Sequence, residues 1–298
     1  MKLPFQTVDV FTERAFGGNP LAVLTDARGL ATEQMQRIAA EFNLAETTFV
    51  LPPDDPAHTA QVRIFTPKAE LPFAGHPNIG TAFVLARAGT CHGRAVAGDR
   101  LLFEEKAGLV TIDLVRDGGE VVATRLAAPQ ALVIDGKIAP ELVAAATGLA
   151  ASDIVGQPVT ASTGARLVFA EVASRDVLKK AVGNTDVFAK HLPPERAIGI
   201  HLFVPVREDG VEVQSRMFAP LYGVPEDPAT GGANVTLAGL LALRDPRPDL
   251  ELSVTIGQGF DMGRPSILRA AAEKRGGKVV ATYVGGRCVP MMKGTIEV

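Results

Sequence analysis

Two stretches of the chain carry almost no polar residue on any face. Residues 77–88 are apolar nearly all round, open with Pro77 in what would be a first turn and stop at Gly89. Residues 233–243, halted by Arg244-Asp245-Pro246, have the same character. Pro suits a first turn because its missing N–H would be unpaired there, and Gly ends helices by adopting left-handed backbone. A helix without a polar face must be enclosed, so both stretches predict buried helices. Thr32–Phe42 differs: Met35, Ile38, Ala39 and Phe42 follow the i, i+3, i+4, i+7 spacing with charges between them, which predicts an amphipathic surface helix. Short alternating runs bounded by Gly, Pro and Asp, at residues 6–11, 21–24, 47–51, 61–65, 101–103 and 109–115, read as strands. Short strands wrapped round a central helix would enclose it, so the expected fold is α+β, with a β-barrel-like sheet around a buried helix in each half.

That there are two halves follows from a repeat. Arg63-Ile64-Phe65-Thr66-Pro67 is echoed by Arg216-Met217-Phe218-Ala219-Pro220, an offset of 216 − 63 = 153 residues. A loop with acidic residues and Pro follows each: Glu70-Leu71-Pro72-Phe73-Ala74-Gly75-His76-Pro77 in one, Glu226-Asp227-Pro228-Ala229-Thr230-Gly231-Gly232 in the other. Each then enters its apolar helix. Upstream, Thr47-Thr48-Phe49-Val50 has a counterpart in the segment from Ile200 to Val204. Self-similarity at half the chain length predicts two pseudo-symmetric domains: 1–120, to which 285–298 returns, and 121–284. The loop from Arg116 to Glu120 and the stretch on to Gln130 are the expected linker.

Composition narrows the partners. With 298 residues, 47% of them hydrophobic, the chain can bury two cores. Its 30 basic and 33 acidic residues are interspersed and sum to −3, so no basic face is available to neutralise phosphates or anionic lipids. Neither nucleic acid nor a membrane is an expected partner. The N-terminal segment lacks the apolar core of a signal peptide, and no apolar stretch approaches the roughly 18 residues that span a bilayer. Only Cys91 and Cys288 occur, without metal-ligand spacing, which fits a reducing cytoplasm and neither a metal nor a cofactor.

The candidate chemistry lies beside the buried helices. Their first-turn N–H groups and positive dipole ends suit an anion, and Gly75, Gly231 and Gly232 either let backbone approach a ligand or simply make tight turns. If the halves pack about a pseudo-twofold axis, both ends face one cleft and a small carboxylate fits between them. Glu46 sits between the surface helix and a β-branched strand, where partial burial would raise its pKa and let it take and return a proton; otherwise it is a capping or solvated carboxylate. His76, at the mouth of a buried helix, is either structural or a hydrogen-bond partner of substrate. Asp227 either makes an Asx turn before Pro228 or orients a substrate amino or hydroxyl group. Glu70 reads as a turn or solvated residue, and Asn43, Asn78 and Asn234 are polar contacts of low specificity.

Taken together, Ala15-Phe16-Gly17-Gly18-Asn19-Pro20-Leu21-Ala22-Val23, Asn43-Leu44-Ala45-Glu46-Thr47-Thr48-Phe49, the Arg63 and Leu71-to-Pro77 strings and Glu226-to-Gly231 resemble, in order, the PhzF-like isomerase family of phenazine biosynthesis, within the diaminopimelate epimerase-like fold. The resemblance implies two barrel-like domains, a homodimer, and a cofactor-independent isomerase similar to trans-2,3-dihydro-3-hydroxyanthranilate isomerase. By it, the catalytic Glu falls on Glu46, the motif His on His76 and the Asp on Asp227, and the substrate carboxylate meets backbone N–H groups near Gly231 and Gly232. The family commonly has Ser where this chain has Gly232, which bears on specificity. Cysteine-pair racemases of the same superfamily carry thiols where this chain has Ala74 and Pro228, and neither side chain can act as a thiolate base. The alternatives are a one-base epimerase or tautomerase of an amino or hydroxy acid, and a non-catalytic small-acid-binding protein.

Overall fold

A computed structural model describes residues 1–208 and 210–298. They divide into two compact units, Met1–Pro129 with Gly285–Val298 (unit 1) and Gln130–Val284 (unit 2).

Unit 1 contains strands β1 (Lys2–Val10), β2 (Asn19–Leu24), β3 (Glu46–Leu51), β4 (Ala60–Phe65), β5 (Arg100–Glu105), β6 (Gly108–Asp117) and β7 (Glu120–Ala127), with helices α1 (Thr32–Phe42) and α2 (Gly75–Ala88). Neighbouring strands pair in the order β1–β2–β3–β4–β5–β6–β7, parallel at β2/β3 and β4/β5 and antiparallel elsewhere. The C-terminal part of Lys278–Glu297 pairs with both β1 and β7 and closes an eight-stranded barrel. Closure leaves no strand edge open around the helix.

α2 fills that barrel, and every residue from Gly75 to Leu85 is buried. Its fit is close: a Cβ at Gly80 would lie 2.6 Å from Leu21 Cδ2 and 2.7 Å from Val10 Cγ2, so only Gly lets the helix lie against β1 and β2. The Thr124 hydroxyl donates to the Ile79 carbonyl at 2.9 Å, tying β7 to the helix. Gly89 ends α2 in left-handed backbone, φ 70°. On the outside, α1 lays Met35, Ile38 and Ala39 on Leu3, Leu24, Phe49 and Phe65, as its amphipathic spacing predicts.

Unit 2 repeats the pattern with β8 (Val133–Lys137), β9 (Ile154–Ser162), β10 (Leu167–Val172), β11 (Ile200–Glu208), β12 (Val211–Ala219), β13 (Val224–Asp227), β14 (Leu250–Gln258) and β15 (Ser266–Arg275). Its helices are α3 (Pro140–Thr147), α4 (Arg175–Lys180), α5 (Thr185–His191) and α6 (Gly231–Arg244). The pairing runs β8–β9–β10–β11–β12–β14–β15, again parallel at β10/β11 and β12/β14, with β13 against β12. Like α2, α6 spans 14 residues and is buried along most of its length. The repeat holds in register: Ala60 pairs with Phe103 in unit 1 and Val213 with Ile256 in unit 2, and 213 − 60 and 256 − 103 both equal 153.

Two sequence expectations change. The expected linker runs from Arg116 to Gln130; its first part, Arg116–Glu120, is the turn of the β6–β7 hairpin, with Gly118 and Gly119 at φ 58° and 88°, and its far end is where the units divide. β7 pairs into the first barrel, so the units meet in sequence at Pro129/Gln130 rather than at 120. Glu70 is neither a turn nor a solvated residue. Arg63 donates to both its oxygens at 2.8 Å, and Lys106 adds a third contact at 2.6 Å. Burial works to raise the Glu70 carboxyl, but the hydrogen bonds from Arg63 and Lys106 outweigh it and hold its pKa below the usual value. The same fork recurs in unit 2, where Arg216 donates to both oxygens of Glu226 at 2.7 Å. Among the described residues, no helix is long and apolar enough to cross a membrane.

Candidate functional site

In unit 1 the polar groups gather where α2 begins. α1 ends at Asn43 in left-handed backbone, φ 50°, and the chain turns directly into β3, whose first residue is Glu46. Parallel pairing with Leu21 places Glu46 beside β2, whose own first residue is Asn19. Glu46 Oε2 lies 3.2 Å from Nδ1 of His76, with side chains 14% and 3% exposed. Asn19 Nδ2 lies 3.3 Å from the same ring nitrogen. Burial pushes His76 down to a pKa of about 3, so its ring is neutral at neutral pH. Nε2 of that ring is buried and meets no hydrogen-bonding group of the protein. A buried polar atom left in this state costs free energy unless something else satisfies it.

Ala74 is the N-cap of α2 and offers no capping side chain, so the amides of Gly75 and His76 open the helix. Asn78, one turn on, folds its Nδ2 back onto the Ala74 carbonyl at 3.0 Å, while its Oδ1 is buried without a partner. The dipole end and uncapped amides favour negative charge at this point.

Unit 2 builds the matching end differently. Asp227 ends β13, opposite Met217 of β12, and is 5% exposed. Its Oδ2 accepts the Thr230 hydroxyl at 2.6 Å, so Asp227 does more than make a turn before Pro228. Gln258, the last residue of β14, connects the group. Its Oε1 accepts from the Thr230 amide at 3.1 Å and from Asn234 Nδ2 at 2.7 Å. Its Nε2 donates to the Asp227 carbonyl at 2.7 Å and the Thr230 hydroxyl at 2.9 Å. Asn234 also returns to the Thr230 carbonyl at 3.0 Å, as Asn78 does to Ala74. Gly231 and Gly232 open α6 with no capping side chain, and a Cβ built at Gly232 would meet no atom within 4 Å.

The structure therefore brings Glu46, Gly75 and His76 together in unit 1, and Asp227, Gly231 and Gly232 together in unit 2. Asn43 serves as the C-cap of α1. Asn19, Glu105 and Gln258 were not apparent from local sequence. The one signal for the last two is the repeat itself, since 258 − 105 is again 153. Both cysteines are free thiols whose pKa is pushed up, Cys91 to about 11 by burial and the nearby Asp26, and Cys288 to about 12 by burial. Neither is suited to act as a thiolate base.

The family model for phenazine biosynthesis-like proteins, PhzC-PhzF, matches residues 8–294. A trans-2,3-dihydro-3-hydroxyanthranilate isomerase of Pseudomonas fluorescens is 38% identical over 97% of both chains. An uncharacterised isomerase of Mesorhizobium japonicum is 36% identical over 97% of this chain and 96% of its own. The crystal structure of a PhzF-family phenazine biosynthesis protein from Bacillus anthracis superposes with a TM-score of 0.88 at 25% identity, covering 100% of both chains. On this similarity along its whole length, the chain belongs to the phenazine biosynthesis-like PhzC-PhzF family and is an isomerase.

Proposed function

We propose that this isomerase moves a proton between carbons of a small cyclic or unsaturated carboxylate, with Glu46 as base and then acid and no cofactor. The observation that carries the reading is the Glu46 carboxylate 3.2 Å from a buried, neutral His76 at the uncapped start of α2. A neutral imidazole beside the carboxylate brings no positive charge to hold it ionised, as a fixed cation would. With Glu46 ionised, the His76 Nδ1 hydrogen faces it. The carboxylate removes a proton from a carbon acidified by the neighbouring unsaturation, the electron pair shifts along the double bonds, and the Glu46 carboxyl, whose proton exchanges with solvent, delivers a proton at another carbon. His76 Nε2, without a protein partner, is available to substrate.

The identities at 37% and 38% to trans-2,3-dihydro-3-hydroxyanthranilate isomerases support that compound as the first substrate to try. For unit 2, we assign Asp227 to an amino or hydroxyl group of substrate and the amides at Gly231 and Gly232 to its carboxylate. The chain is proposed to act as a cytoplasmic homodimer. The deciding experiment is incubation with trans-2,3-dihydro-3-hydroxyanthranilate in deuterated water. Deuterium at the new C–H position with a shifted double bond supports the reading. Deuterium at an unmoved stereocentre of an amino or hydroxy acid, with no shift of unsaturation, would replace it with the one-base epimerase. No exchange across a panel of carboxylates would leave a small-acid-binding protein.

A further inference from the structure

Arg175 opens α4, far in sequence from every residue of the proposed site. Its Nη1 and Nη2 donate to the two carboxylate oxygens of Asp261 at 2.8 and 2.9 Å, and the two side chains are 25% and 14% exposed. A planar fork on a carboxylate fixes orientation as well as charge. Asp261 Oδ2 lies 4.0 Å from Arg216 Nε, and Arg216 in turn grips Glu226. The charges therefore alternate along Arg175, Asp261, Arg216 and Glu226, and this row meets the Asp227 segment on two sides. Glu226 is the residue before Asp227. Asp261 sits in a short helical turn, Phe260–Met262, just after β14. That turn is closed and close-packed: the amides of Met262 and Arg264 donate to the Gly259 carbonyl at 3.2 and 3.0 Å, and a Cβ at Gly259, φ 75°, would lie 2.6 Å from the Pro228 carbonyl oxygen. In unit 1 the third charge, Lys106, binds Glu70 itself, whereas in unit 2 the added pair lies on the arginine side and leads to the turn.

We propose that Arg175 is a positioning residue for Asp227: by clamping Asp261 it holds the turn after β14, and through Gln258 and Gly259 that turn holds the loop presenting the Asp227 carboxylate. The path to the carboxylate is continuous. Gln258 Nε2 donates to the Thr230 hydroxyl, and that hydroxyl donates to Asp227 Oδ2. Gln258 also bonds the Asp227 carbonyl and the Thr230 amide, while Gly259 rests against the Pro228 carbonyl between them. A turn released from Arg175 shifts these contacts together, because Gln258 and Gly259 are the residues that join it to β14. The effect of Arg175 on substrate therefore passes through Asp227. That effect rests on the function proposed above; the clamp itself does not.

The test compares wild type with Arg175→Lys, Arg175→Ala, Asp261→Asn, Asp227→Asn and the double variant Arg175→Ala/Asp227→Asn. Amide hydrogen exchange, followed without substrate, is expected to quicken about tenfold at Thr230 in Arg175→Ala while the strand amides of β14 and β15 stay unchanged. Arg175→Lys keeps the charge but loses the fork, so its effect is smaller; Asp261→Asn matches Arg175→Ala. An unchanged Thr230 amide overturns the proposal, as does a rise of equal size along β14 and β15, which marks general destabilisation. In turnover, Arg175→Ala raises KM about three- to tenfold with kcat within about twofold, and adds nothing further in the Asp227→Asn background, because both act through one group. Additive effects on KM would show that Arg175 acts elsewhere, and so overturn it too. A wild type that turns over no carboxylate refutes the proposed function, and the exchange data then decide the clamp alone.

Discussion

The starts of α2 and α6 are built on one framework and differ in how far their polar groups satisfy one another. At α6, Asp227, Thr230, Asn234 and Gln258 bond among themselves. At α2, His76 Nε2, Asn78 Oδ1 and the Glu105 oxygens meet no such partner. Of these atoms, Nε2 of His76 is the one beside the Glu46 carboxylate, which makes it the group offered to a reacting molecule. The positions that differ include a strand end, Glu105 in unit 1 and Gln258 in unit 2, and the residue before each helix, Ala74 in unit 1 and Thr230 in unit 2.

The Arg–Glu forks test how alike the two frameworks are. Arg216 is 8% exposed, and its Nη1 also donates to the carbonyls of Leu178, Lys179 and Ala181 at 3.0, 3.0 and 2.8 Å. Arg216→Ala leaves Glu226 and these carbonyls unpaired and is expected to cost about 3–5 kcal/mol of stability by chemical denaturation. Acid should act next. His76 and His201 are both buried, each with a pKa lowered to about 3 by burial. The unfolded chain binds protons that these rings refuse, so stability falls as pH drops below about 6.5, by about 2 kcal/mol per histidine at pH 5. His201→Leu should remove one such contribution, read as a flatter pH–stability curve. Arg63→Ala is smaller, about 1 kcal/mol, because its side chain is 21% exposed and its further contact is the Thr32 hydroxyl. An equal loss at both arginines would show that the units carry their forks alike. Smallest is Gly232→Ser: the empty space there predicts a stability change within about 0.5 kcal/mol, so any shift in KM reports a hydroxyl newly offered to substrate.

Much of this architecture was legible in the sequence because burial writes itself as periodicity. Thr32–Phe42 and the end of α2 at Gly89 fall where the spacing places them. The Arg63 and Arg216 strings revealed the repeat because both serve the same fork. The pairing of Glu70 is not legible, because acidic residues near Pro look alike in sequence whether solvated or paired; its partner Arg63 is on a neighbouring strand. Gln258 and Glu105 were hidden for a related reason. The residues they face come from α6 and α2, distant in sequence, and no local pattern distinguishes a strand-end Gln or Glu that turns inward.

The central claim is that proton transfer belongs to the α2 end and not to the α6 end. Deuterium wash-in from solvent, measured side by side for Glu46→Gln and Asp227→Asn with folding verified by circular dichroism, addresses it directly. The account predicts that Glu46→Gln loses wash-in by about 10²–10⁴-fold, while Asp227→Asn binds substrate more weakly yet still incorporates label. Wash-in that survives in Glu46→Gln and vanishes in Asp227→Asn would contradict it.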